Sequence, residues 1–285
     1  MDNRSIGVFD SGLGGLTAVK EIMELFPHES IVYFGDTGRV PYGSRSKETI
    51  LKYTRGDIRF LLSHNVKMII IACGTASSAA LPDIRSDYDV PILGVVDAGV
   101  YEAVRVTKNK RIGIIGTTAT LRSGAYTKLI NEYDPQIQTF ERDCPLFVPL
   151  VENGHFDTQV TQLMIEEYLC QIRSKGIDTL ILGCTHYPLL KKAISRYMGN
   201  DVTLISPGEE VAKYMKKKLT GSLCHSPVAD EKQYSFYVSD SIENFEDLGS
   251  IFLETKINGQ VSKIDIEKYC QLYNYHKKHA NRRRQ

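Results

Sequence analysis

Short, continuously apolar runs alternate with longer amphipathic stretches along this chain. The runs at 5–10, 30–36, 67–73, 91–96, 111–116, 179–184, 202–206 and 234–240 have strand length and little polar interruption. Such runs predict strands covered on both faces. Segments 16–26, 47–65, 124–133 and 156–176 instead repeat apolar residues at helical spacing,. Gly176 is placed to cap the C-terminus of the last helix, and Gly or Pro punctuates most other joints,. Strands alternating with helices imply an α/β fold with largely parallel sheets.

The pattern contains an internal repeat. RSIGVFDSGLGGLTAVKEI (4–22) is matched by KRIGIIGTTATLRSGAYTKLI (110–130), and FLLSHNVKMIIIACGTAS (60–77) by CQIRSKGIDTLILGCTHY (170–187). Ile6 to Ile112 is an offset of 106 and Cys73 to Cys184 an offset of 111, so the copies differ by a small insertion. Two similar α/β halves would then each carry one cysteine at an equivalent strand end. Ligands of open α/β sheets bind at the carboxyl ends of strands. The repeat therefore predicts a cleft between the halves with one thiol on each side.

That arrangement suits inversion of a carbon centre by two bases. One group removes a proton from one face while its partner supplies a proton to the other. A thiol serves both roles, because its ordinary pKa of about 8.5 lies near enough to neutrality to hold or yield the proton. A lone apolar-flanked cysteine is more often a small core residue. The pairing, and the polar turns Gly74-Thr75 and Thr185-His186, favour chemistry here.

Composition narrows the classes further. The 285 residues are enough for roughly two domains,. Lys+Arg 35 against Asp+Glu 34 leaves a net charge of +1, so no overall field attracts nucleic acid or an anionic membrane,. The first residues, MDNRSIGVFD, have no apolar leader, and no segment reaches the length of a membrane span,. A cytoplasmic location and free thiols are expected for the six cysteines,. None of them forms a C-x-x-C pair, which speaks against structural zinc. Cys144, Cys170, Cys224 and Cys270 lack the repeat and the turn and are assigned to packing. The basic end HKKHANRRRQ (276–285) has the character of a solvated terminus,.

VFDSGLGGLT (8–17) imitates a dinucleotide fingerprint, but Thr17 stands where the third glycine belongs,. No Gly-Lys-Ser/Thr follows, so a phosphate-binding P-loop is excluded as well. What the stretch offers is Asp10 and Ser11 at a strand end. Asp10 would raise a neighbouring thiol by charge, and it suits holding an ammonium or relaying a proton. Capping the following helix is the other role open to it.

GVFDSGLGGLT, YFGDTGRVPYG (33–43), ACGTAS (72–77), VPLVENG (148–154) and LGCTHYPLL (182–190) together resemble the glutamate racemases of the aspartate/glutamate racemase family. The motifs run in order through nearly the whole chain. The resemblance implies a cofactor-independent enzyme without a metal, supplying D-glutamate for peptidoglycan. It implies two α/β domains, 1–97 plus 207–285 and 98–206. Cys73 and Cys184 would be the acid/base thiols, assisted by Asp10, Glu152 and His186. Asp10, Ser11, Tyr42, Gly43, Gly74, Thr75, Thr185 and His186 would meet the substrate. Family members are often dimers, which leaves a homodimer open.

Where the family usually reads Cys-Asn-Thr, this chain has Cys73-Gly74-Thr75, and Ala98 stands where a proline is common. The missing amide is expected to weaken substrate binding without touching the proton transfers, so that Gly74→Asn would lower KM or leave it unchanged. An aspartate or other amino-acid racemase would share the thiols and differ in the pocket. A flavodoxin-like binding module with redox or metal-binding thiols is the alternative outside catalysis, though Cys184-Thr185-His186 is not a common zinc spacing.

Overall fold

The computed structural model describes residues 2–218, 233–257 and 261–270. Cys224 and the basic stretch 276–285 lie outside the described residues. Ten strands run in chain order: β1 (Ile6–Asp10), β2 (Ile31–Gly35), β3 (Met68–Ile71), β4 (Ile92–Gly94), β5 (Arg111–Gly116), β6 (Gln138–Asp143), β7 (Thr179–Leu182), β8 (Thr203–Ile205), β9 (Tyr234–Val238) and β10 (Val261–Lys263). They form a six-stranded sheet, β10-β9-β2-β1-β3-β4, and a four-stranded sheet, β6-β5-β7-β8. Every pairing is parallel.

The order β2-β1-β3-β4 in the first sheet recurs as β6-β5-β7-β8 in the second. This is the internal repeat seen in space, with β3 and β7 as counterparts that each lead to a cysteine. Alternation along the strands distributes the core. Ile6 and Val8 of β1 pack with Val19 and Ile22 of helix Leu16–Leu25. Phe9 faces Ile58 and Leu61 of helix Lys47–Ser63 on the other side. In the second sheet Ile112 and Ile114 face Val100 of helix Val95–Val106, whereas Ile115, Leu180 and Leu182 face Ile165 and Leu169 of helix Gln159–Arg173. Both faces of each sheet are thus covered, which is why the strands read as unbroken apolar runs.

The chain crosses from the first sheet to the second through helix Val95–Val106 and returns through helix Pro207–Lys218. The two crossings touch: a Cβ on Gly99 would lie 2.7 Å from Cγ of Pro207.

Several elements depart from the expected ones. The run 91–96 stops as a strand at Gly94, and Val95 already begins a helix. β6 reads QTFERD and none of its residues is buried, so an apolar-run criterion passes over it. β10 is a three-residue edge strand with the same difficulty. The helix before β7 ends with Ser174 as its C-cap, and Gly176 supplies the left-handed turn two residues later, at φ +64. Cys170 lies in that helix but is exposed, so its assignment to packing is corrected; the helix turns that position outward. Cys144 and Cys270 are buried free thiols.

Candidate active site

β3 and β7 deliver the two cysteines by the same local device: an apolar strand, one linking residue, then a thiol at the start of a turn. Cys73 caps helix Gly74–Ala79, and its Sγ accepts the Ala76 N–H at 3.5 Å. The thiol donates to Ser11 Oγ at 3.4 Å. Ser11 follows β1, the neighbour of β3, so sheet pairing brings these groups together. Burial pushes the Cys73 thiol up to about 12, and the Asp10 charge adds to this against the hydrogen bonds from Ser11 and Ala76. Near neutral pH Cys73 is therefore a proton donor. Asp10 is fully buried and accepts the Gly12 N–H at 3.0 Å. Burial raises its carboxyl, opposed by the nearby His186 charge and by backbone N–H groups of the turn.

Cys184 is only half-buried and has a different neighbour. His186 Nδ1 lies 3.9 Å from its sulfur, and His186 Nε2 lies 3.1 Å from Glu152 Oε1. Glu152 ends helix Phe147–Glu152. Burial of the ring disfavours its charge, but the hydrogen bonds and charges of Cys184 and Glu152 outweigh burial and raise the imidazole to about 10. At neutral pH the ring is a cation with one N–H toward each partner. The Thr185 hydroxyl reaches across to Asp10 Oδ1 at 3.5 Å and links the halves.

Glycines set how closely the opposing turns approach. A Cβ on Gly14 would lie 2.7 Å from Thr185 Cβ and 3.0 Å from His186 Nδ1. A Cβ on Gly74 would overlap the Gly183 carbonyl oxygen, 3.3 Å from the Gly183 carbonyl carbon and 3.8 Å from Cys184 Cα. This gives Gly74 a packing role beside the lost substrate contact expected for it. Its lack of a side chain is what lets the Cys73 turn pack on the Cys184 turn. The cavity beside Cys184 and Gly74 holds ≈ 10 Å³, the room of a single water,.

The remaining sequence-named residues border the same seam. Thr75 Oγ1 lies 3.0 Å from Thr117 Oγ1 and 3.3 Å from Thr120 Oγ1. A Cβ on Gly43 would lie 2.6 Å from Thr117 Cβ. Tyr42 behaves differently, because its buried hydroxyl is already bonded to Asp36 and, at 2.9 Å, to Asp57. Arg39 bridges those carboxylates at 2.6 and 2.9 Å. The Tyr42–Gly43 turn can thus offer a ligand its backbone, while the ring anchors the turn. Thr117, Thr120 and the Asp36–Arg39–Asp57 network were not among the residues named from sequence. The repeat held a signal for Thr117: at the offset of 106 it is the counterpart of Ser11.

Among the described residues, no group of three or more His, Cys, Asp or Glu could hold a metal ion. The arrangement is instead that of two thiols from equivalent strand ends meeting at one seam. Residues 18–215 match the model of the Asp/Glu/hydantoin racemase family. The chain belongs to that family. The glutamate racemase of Geobacter metallireducens is 42% identical over 264 residues, 93% of this chain and 97% of that protein. The glutamate racemase of Persephonella marina is 44% identical over 94% of this chain and 100% of its own length. The crystal structure of the Francisella tularensis glutamate racemase in complex with D-glutamate superposes with a TM-score of 0.87 at 38% identity, covering 94% of this chain and 100% of that one. The family fold extends to the Picrophilus torridus aspartate racemase, at 22% identity and a TM-score of 0.54 over 75% of this chain and 94% of that one.

Proposed function

We propose that this protein is a glutamate racemase that interconverts L- and D-glutamate with its own two thiols. The carrying observation is that Cys73 and Cys184 end equivalent strands of two repeated sheets and meet at one seam. For L-glutamate, Cys184 takes the α-proton, with the His186 imidazolium beside its sulfur, and Cys73 delivers its own proton to the opposite face. The C–H bond breaks toward one sulfur, the S–H bond of the other closes the new C–H, and the thiol/thiolate states exchange. D-Glutamate runs the same steps backwards. Asp10 faces Cys73 as Glu152 and His186 face Cys184, which supports their roles as assistants on opposite sides. Ser11, Thr75, Thr185 and the backbone of the Tyr42–Gly43 and Gly74 turns are the polar groups that would hold the substrate.

The same proposal takes 1–97 plus 207–285 as one domain and 98–206 as the other. The two chain crossings, one in each connecting helix, support that division. Among the described residues no helix is long and apolar enough to cross a membrane. We place the enzyme in the cytoplasm, supplying D-glutamate for peptidoglycan as its relatives' activity would allow.

The test is loss of optical rotation from L-glutamate and L-aspartate, side by side and without added cofactor. Glutamate should be strongly preferred, and the reaction should run to the racemate from either enantiomer. Comparable rates on aspartate would overturn the substrate assignment, and a one-way reaction would overturn racemisation itself.

A further inference from the structure

Next to the catalytic seam, and meeting it at Gly43, a groove of ≈ 730 Å³ runs between the two halves, with Thr118 also in its lining. Its volume falls within the range of about 300–1,000 Å³ typical of pockets for ligands larger than an amino acid. Arg45 and Lys47 line it from the first half, Arg122 and Lys128 from the second, and Asp83 is the one carboxylate among the lining residues. Lys47 pairs with Asp83 at 2.8 Å. Arg45, Arg122 and Lys128 have no ion pair among the described residues. The chain as a whole is balanced at +1, so this excess is local rather than a general basic character. Four exposed cations line one open groove, and a multiply charged anion is the occupant that neutralises them together,. Two of the four are arginines, whose planar forks match phosphate oxygens in pairs.

We propose that this groove binds a small polyanion of the organic di- or triphosphate class and that the bound anion ties the two halves together. The cations come from both halves, so one ligand neutralises charge on each side at once. The groove meets the seam at the Gly43 turn, one of the groups proposed to hold the substrate. A bound polyanion restrains the two halves beside that turn and slows turnover; this kinetic consequence rests on the racemase assignment, whereas binding does not.

Isothermal calorimetry on the full chain with inorganic tripolyphosphate as probe tests it. At about 0.1 M salt, where exposed charges more than about 10 Å apart are screened, the parent should bind one equivalent saturably, with Kd below about 1 mM. Arg45→Glu and Arg122→Glu should each raise Kd by about tenfold or more, the loss expected for a charge-assisted contact. Arg122→Ala, a milder change, should raise it less. Lys192→Glu, outside the groove, should leave it unchanged. Saturating tripolyphosphate should lower kcat for glutamate in the parent but not in Arg122→Glu. No saturable binding, equal binding by the groove variants, or equal weakening by Lys192→Glu would each overturn the site. Binding with kcat unchanged would overturn the bridging. If binding fails while racemisation persists, the groove assignment falls and the racemase assignment stands.

Discussion

Cys73 and Cys184 share a position in the repeat and almost nothing else. Cys73 is buried against Ser11 and the Asp10 carboxylate and keeps its proton. Cys184 is half-buried beside an imidazolium whose other nitrogen is fixed by Glu152. The two thiols thus meet different surroundings, an asymmetry that the resemblance of the two strand ends conceals. The His186 pairing also makes a signed prediction. Its folded pKa of about 10 lies above the ordinary 6.5, so the stabilisation from its pairing is complete below 6.5 and is lost as pH rises toward 10,. The thermal midpoint of the parent should therefore exceed that of His186→Asn most at about pH 6, and the gap should shrink toward pH 10,. A gap that widens with pH would contradict a cationic His186 in the folded protein.

Among the elements, the turns matter more than the helices and strands they join. Gly74 begins its helix with the Gly183 carbonyl directly against it. Gly74→Asn should fold, because the clash lies at a surface between two halves rather than inside either core. It should lower kcat/KM by about tenfold to a hundredfold, about 1.4–2.7 kcal/mol of transition-state stabilisation, because the added side chain holds the two turns apart. Steady-state kinetics with both enantiomers checks this, and an unchanged or lower KM at full kcat would restore the simpler view of Gly74 as a lost contact. How much was legible follows the same division. Apolar runs revealed the buried strands β1, β2, β3, β5 and β7, because two covered faces leave no polar alternation. β6 and β10 escaped, since none of their residues is buried and they carry the composition of the surface. The thiols, Asp10, Ser11 and His186 were readable from motifs and the repeat. The Asp36–Arg39–Asp57 clamp on Tyr42 was not, because its members become neighbours only when β2, helix Lys47–Ser63 and the intervening turn are packed together.

For the whole molecule, two sheets that share a four-strand order approach one another through their cysteine turns, and two helical crossings join them. The contacts at Gly14 and Gly74 bring the two cysteine turns close together. In the proposed reaction the substrate sits between the halves, so that each thiol comes to a different face of one α-carbon. The most direct measurement is racemisation of L- and D-glutamate in deuterium oxide by the parent, Cys73→Ser and Cys184→Ser. In the parent, the first product formed from either enantiomer should carry solvent deuterium at the α-carbon while the recovered substrate keeps its protium. Each serine variant should lose about 10²–10⁴ in rate in both directions, since either direction uses one thiol to take the proton and the other to give one. A serine variant racemising near the parent rate, or deuterium entering recovered substrate as fast as product, would contradict two thiols acting from opposite faces.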